Sequence, residues 1–263
     1  EIKSLTIDSG GHLTAGANVI TINGETTGNY SFLNSGTFVS TSSTLTFTYD
    51  GATRMTGGAL NNIIINHASH ETVLKSAATV AGDLTITAGS FDTNAGSDFA
   101  LTVDGDVSVT GTLRGRDSAI SFGSLTIASG GTYSATSGTT TIKNETSDYA
   151  FKNDGTFTHN KGEVFFDGNT DDIANTEIQS DDFYDFRMDC QTANHEVKWS
   201  DKSGNALTIY NNLIITQGSF ESKDAGDTLT IHGLTDITAN GKFETDGNHT
   251  GTVTHHGLVT NAG

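Results

Sequence analysis

The sequence predicts an all-β chain wound as a right-handed parallel β-helix, a β-solenoid of about ten short coils. Three observations carry that expectation. The octapeptide "SLTIDSGG" at residues 4–11 returns with one change as "SLTIASGG" at residues 124–131. A triplet of Gly, a small or polar residue and a large apolar residue recurs roughly every 20 to 25 residues. Between these triplets lie short alternating stretches with β-branched and aromatic residues, no 3.6-residue periodicity and no Pro.

The long repeat divides the chain into copy one, residues 1–123, copy two, residues 124–257, and the start of a third copy at 258–263. "YSFLNSGTF" (30–38) pairs with "YAFKNDGTF" (149–157), and "LNNIIIN" (60–66) pairs loosely with "FYDFRMD" (183–189). "LTITAGSFDT" (84–93) pairs with "LIITQGSFES" (213–222), and "LTVDG" (101–105) with "LTIHG" (229–233). The offset grows through the middle, which places insertions in copy two around residues 167–205. A chain built from stacked units has reason to repeat in this way, whereas a single globular enzyme does not.

The triplets read as coil corners: "GHL" at 11, "GTF" at 36, "GAL" at 58, "GSF" at 89, "GTL" at 111, "GTY" at 131, "GTF" at 155, "GSF" at 218 and "GKF" at 241, with one wider gap in each copy. Gly is expected there to supply a turn conformation that other residues disfavour. The apolar residue two places on points inward as the next strand begins. Leu84-Thr85-Ile86 is such a strand, with Leu and Ile on one face and Thr on the other. About five coils fill each copy. Ten coils at the ~4.8 Å strand spacing would make a rod on the order of 50 Å long. The absence of Pro fits, because each interior strand needs its N–H for pairing on both sides. The competing architecture is two tandem β-sandwiches, one per copy. It leaves unexplained why one corner should recur so often within each copy.

Composition narrows function by exclusion. There are 13 Lys+Arg against 31 Asp+Glu, a formal net charge of −18. Nucleic acid and anionic membranes both need a cationic footprint, so neither is an expected partner. Arg114 and Arg116 are the only closely spaced arginines. No apolar run approaches the ~18 residues of a membrane span. The one cysteine, Cys190, allows no internal disulfide. The chain opens at Glu1, already inside the repeat, and reads as a mature piece or a fragment of something longer.

Copy two carries an acidic stretch that copy one lacks: Asp167, Asn169, Asp171, Asp172, Asp181, Asp182, Asp185 and Asp189. In "DGNTDD", Asp167, Asn169, Asp171 and Asp172 offer oxygens at the close spacing calcium loops use, which makes them the candidate metal ligands. The loop lacks the sixth-position Gly and twelfth-position Glu of an EF-hand. An exposed acidic loop is the plainer reading. The same carboxylates could instead supply the acid/base pair of a glycan-cleaving β-helix, with Tyr184 and Trp199 stacking on sugar or filling the core. Among the nine histidines, His67/His70 and His255/His256 are the close pairs. Each pair falls on opposite faces of a strand, so neither makes a zinc site. No catalytic residue and no cofactor is assigned; calcium is the one candidate ligand.

The run "YAFKNDGTFTHNKGEVFFDGNTDD…DDFYDFRMD…LTIYNNLIITQGSFES…GDTLTIHG" resembles the repeats of large surface proteins: bacterial adhesins, and the tail fibres and other virion structural proteins of marine phages. The resemblance covers nearly the whole chain, but its motifs specify corners and strands and carry no functional residues. It implies a structural and adhesive segment of an extracellular or virion-surface fibre that holds receptor-contacting loops away from the particle. The implied partners are a cell-surface glycan or protein receptor and further copies of the repeat, with trimerisation as one assembly. A bacterial cell-surface adhesin is the alternative setting, and a carbohydrate-active β-helix enzyme the alternative activity.

Overall fold

The computed structural model describes residues 1–262 except 27, 144–148, 169–175, 181, 191, 194, 201–205, 223–225 and 246–250. The chain is all-β, with parallel strands stacked into a β-solenoid of about ten turns. Every described strand pair is parallel, and partners lie about a turn apart in sequence, from Leu45 opposite Ile63 to Phe151 opposite Ile178. Tandem sandwiches would need antiparallel neighbours, so that architecture is excluded. Among the described residues there is no helix long and apolar enough to cross a membrane.

The chain forms two compact units. The first comprises residues 1–121, 127–136 and 155–158; the second comprises 122–126, 137–154 and 159–263. In the first unit three faces alternate around each turn. On one, Leu5 lies opposite Phe32, Phe32 opposite Met55, and Met55 opposite Leu74. The same face continues as the column Phe91, Leu113, Tyr133, Phe157. Another face holds Leu13 opposite Phe38, and Leu60, Val80, Val103 in succession. The cleanest ladder is the last: Ile22, Phe47, Ile65, Ile86, Val109, every one at most 1% exposed where it lies inside the core. Strand alternation makes this possible, because each second residue points inward and meets its counterpart one turn on. Each such side chain contributes about 1.5–3 kcal/mol by leaving water.

The second unit repeats the scheme with larger side chains. Ile142, Phe166, Met188, Ile215 and Ile237 form one inward column. Val197, Phe220 and Phe243 form part of another, and Phe183, Ile209 and Ile231 part of the last. Phe186 bridges columns, its ring 5.0 Å from both Phe166 and Phe220.

Glycine at the corners does two jobs. Gly58, Gly89 and Gly218 supply the left-handed turn that the sequence suggests, with φ of +106°, +75° and +95°. Other corners ask something else of it. Gly36, Gly111, Gly131 and Gly155 do not have positive φ. Their constraint is closeness: a Cβ on Gly155 would stand inside 3.0 Å of the carbonyl oxygens of Gly131 and Ala128. Thr156 N donates to Gly131 O at 2.9 Å, and Thr132 N to Gly111 O at 2.8 Å. Corner backbones therefore lie directly on one another, and any side chain would separate them.

A second corner device recurs in both copies. Asn62 Oδ1 accepts from Asp83 N, and Asp83 Oδ1 from Asp106 N, both at 2.9 Å. In copy two, Asp185 Oδ1 accepts from Asn212 N at 2.9 Å, and Asn212 Oδ1 from Leu234 N at 3.0 Å. Each short side chain satisfies a backbone donor that the corner takes out of the sheet ladder.

The 120-residue offset is not a whole number of turns. Leu5 belongs to the face that continues through Phe32, Met55 and Leu74. Its sequence equivalent, Leu125, precedes Ala128, whose N–H donates to Val109 O at 2.9 Å. Val109 ends the ladder that starts at Ile22, on a different face. The corner triplet shifts with it. Gly11 and Gly36 follow the first face, whereas Gly89, Gly111 and Gly131 lead into it.

Candidate functional site

Of the acidic stretch, Asp167, Asp182, Asp185 and Asp189 are placed. Asn169, Asp171, Asp172 and Asp181 lie outside the described residues. Asp167 and Asp189 stand side by side in register on Glu163–Gly168 and Asp185–Cys190. Burial, then the charge of Asp167, raises the Asp189 carboxyl above its ordinary value, against the pull of Arg187. Two carboxylates on one edge are a beginning of a cation site, but calcium needs six to eight oxygens. Among the described residues no group of three or more His, Cys, Asp or Glu side chains could hold a metal ion. Asp185 is committed elsewhere: its Oδ1 accepts from Asn211 Nδ2 at 2.8 Å as well as from Asn212 N. It is a corner staple.

The two aromatics of this region part company. Trp199 is 1% exposed and packs over Phe220, so it belongs to the core. Tyr184 is half-buried and stacks on His159, with centroids 5.5 Å apart. From there a column of rings follows the outside of the second unit. His159 also lies 5.4 Å from Tyr210, Tyr210 stacks 6.1 Å from His232, and His232 lies 4.9 Å from His256 at 8° from parallel. Tyr210 is 48% exposed, and His232 and His256 are exposed. The residues recur about once per turn because each occupies the position just past an inward strand. Rings stacked on rings turn their edges to solvent. The column thus offers phenolic hydroxyls and imidazole nitrogens, donors and acceptors both, at roughly the 5 Å pitch of the turns. His159 Nδ1 accepts from Lys161 N at 3.0 Å, which leaves its proton on Nε2.

The histidine pairs divide across their strands as alternation requires. His67 is buried and shares a hydrogen bond between Nε2 and Thr72 Oγ1 at 3.1 Å, while His70 faces out to Asp50 at 2.9 Å. His255 meets Thr235 Oγ1 at 2.9 Å, and His256 joins the outer column.

One charged cluster escaped the sequence reading. Arg114 Nη1 donates to Glu71 Oε1 at 2.7 Å, across 43 residues. Arg116 Nε donates to both oxygens of Asp92, at 3.1 and 2.9 Å, and Nη2 adds a further bond. Asp92 is 2% exposed. Burial works against its charge, but the Arg116 bonds and the Asn94 N–H outweigh that and hold its carboxyl below the ordinary value. Burial, then the neighbouring Asp92 charge, raises Glu71 against the pull of Arg114. Each carboxylate has its own guanidinium, so the cluster is a closed network that ties three turns together. No family model, curated protein or solved structure matches this chain.

Proposed function

We propose that the chain is a structural and adhesive repeat segment of an extracellular or virion-surface fibre, most specifically a phage tail fibre or similar appendage. Its turns form a scaffold, and the outer ring column of the second unit contacts a cell-surface glycan or protein receptor. The observation that supports this reading is the column itself: Tyr184, His159, Tyr210, His232 and His256 recur turn by turn on the solvent side of a repeating core. A glycan running along the turns would meet a hydrogen-bonding group at each step. Formal charge of −18 keeps such a segment from non-specific adhesion to anionic surfaces.

The reading is tested by binding fluorescently labelled chain to a panel of bacterial cells and to immobilised cell-surface glycans. Saturable binding to a subset is expected, reduced at least tenfold in the double variant Tyr210→Ala, His232→Ala. Equal binding by that variant would remove the column from the account. Incubation with the bound polysaccharide tests the enzymatic alternative. Product release that disappears in Asp167→Asn or Asp189→Asn would replace display by cleavage.

A further inference from the structure

We propose, resting on the ring column as the contact surface, that its ligand is an uncharged, extended pyranose chain lying along the turns of the second unit. One sugar meets each turn, and a threonine ladder, Thr208, Thr230 and Thr254, holds the edge of the sugar that the rings do not.

Thr208 lies opposite Thr230, Thr230 opposite Thr254, and Asp182 heads the column opposite Thr208. Each stands two residues before a ring: Asp182 before Tyr184, Thr208 before Tyr210, Thr230 before His232 and Thr254 before His256. Residues two apart on a strand share a face. The residue between them points into the core, and Phe183, Ile209 and Ile231 are all 0% exposed, which fixes the rungs. The ring positions keep the same register. Tyr210 N donates to Phe183 O at 2.9 Å, His232 N to Ile209 O at 3.0 Å and His256 N to Ile231 O at 2.9 Å. The face is therefore a grid of two columns, with ~4.8 Å between rungs and roughly 6.6 Å between columns.

Among the described residues none bonds to the hydroxyls of Thr208, Thr230 or Thr254, whereas Thr72, Thr139 and Thr235 each use theirs within the fold. A threonine hydroxyl both donates and accepts, and its methyl offers an apolar contact to sugar C–H groups. The next position out is small on each rung, Ala206, Thr228 and Thr252, so no long side chain of those strands stands over the ladder. A pyranose ring carries hydroxyls on both edges. Linked through opposite corners, such rings advance by about one ring length per sugar, close to the pitch of the turns. One edge then faces the rings and the other the threonines, rung after rung, whereas a coiled glycan leaves the grid after a rung or two. Charge selects further: Asp182 heads the ladder and the chain carries −18, so an acidic polysaccharide is repelled. A peptide strand finds no open backbone edge here, because Thr228–Ile231 is paired on both sides.

Affinity electrophoresis through gels holding hydroxyethyl cellulose, glucomannan or carboxymethyl cellulose reads the ligand class, and calorimetry with β-1,4-linked glucose and N-acetylglucosamine oligosaccharides reads its length. At least one neutral polymer should retard the chain and carboxymethyl cellulose should not. Affinity should rise with oligosaccharide length to about four sugars, one per rung, and then level. The double variant Thr208→Val, Thr230→Val keeps shape and branching but loses two hydroxyls, and should bind the neutral chain about tenfold more weakly. Thr208→Ser with Thr230→Ser should retain most of the affinity. Should the valine pair lose its β circular dichroism, Thr230→Val alone reads the same loss at smaller size. Binding that is lost in Tyr210→Ala, His232→Ala but unmoved in a folded valine variant overturns the ladder and leaves the ring column standing. Equal or stronger retardation by carboxymethyl cellulose overturns the uncharged class. Retardation by no neutral polymer overturns the proposal whole. If cells are then still bound through Tyr210 and His232, only the ligand class has failed; if they are not, the reading beneath it fails too.

Discussion

Arg187 sits over the ring of Phe165 on the neighbouring turn, its guanidinium carbon 3.5 Å from the ring centroid. The same guanidinium holds Glu163 in a fork, Nε to Oε1 at 2.9 Å and Nη2 to Oε2 at 3.0 Å. Glu163 also accepts from Thr139 Oγ1 at 3.2 Å, so one carboxylate links three turns on the outer surface of the second unit. Replacing Arg187 by Ala should lower stability by about 1–2 kcal/mol, combining a partly exposed forked ion pair with a cation–ring contact. Arg187→Lys should recover less than half, because an ammonium cannot fork to both oxygens. Urea unfolding followed by circular dichroism measures both.

Glycine at the corners separates two kinds of constraint. Gly155→Ala should cost about 3 kcal/mol, since its Cβ would press on two carbonyl oxygens that the stacked corner cannot move. Gly130→Ala should cost about 1 kcal/mol, because its φ of +85° strains an L residue but nothing lies within 4 Å. If the two variants melt alike, or their order reverses, close stacking is not what the corner glycines serve.

Acid should weaken the first unit through His67. Burial first, then the charge of His70, pushes the His67 imidazole below its ordinary 6.5. A histidine depressed in the folded state binds its proton more readily when unfolded. Its contribution is therefore full above pH 6.5 and is lost as the pH falls through that value toward the lowered folded one. His67→Gln should flatten the dependence of unfolding midpoint on pH between 7 and 5. A slope unchanged by that substitution would place the acid sensitivity elsewhere.

The single thiol should be silent. Cys190 is buried, and burial, then the charge of Asp189, pushes its pKa up to about 12. At pH 8 the folded chain should react with a maleimide at least a hundredfold more slowly than the same chain in denaturant. Gly218 packs against the sulfur closely enough that an added Cβ would lie 2.8 Å from it, so Gly218→Ala should open the site and speed labelling.

By itself the sequence determined that this is a stacked all-β chain, and much of its detail. Leu84-Thr85-Ile86 alternates in and out as written, because strand side chains have a period of two whatever surrounds them. The opposite orientations of His67 and His70 follow from the same rule. What the tertiary structure decided is phase. "SLTI" at residue 4 and "SLTI" at residue 124 are nearly identical, yet they lie on different faces, because a Gly-x-apolar corner can turn any of the three edges of a coil. Residues brought together across turns were likewise hidden. Glu71 and Arg114 are 43 positions apart, and Tyr210, His232 and His256 differ in spacing from turn to turn. Turn lengths vary with each corner, so only the backbone hydrogen bonds between turns set which side chains meet.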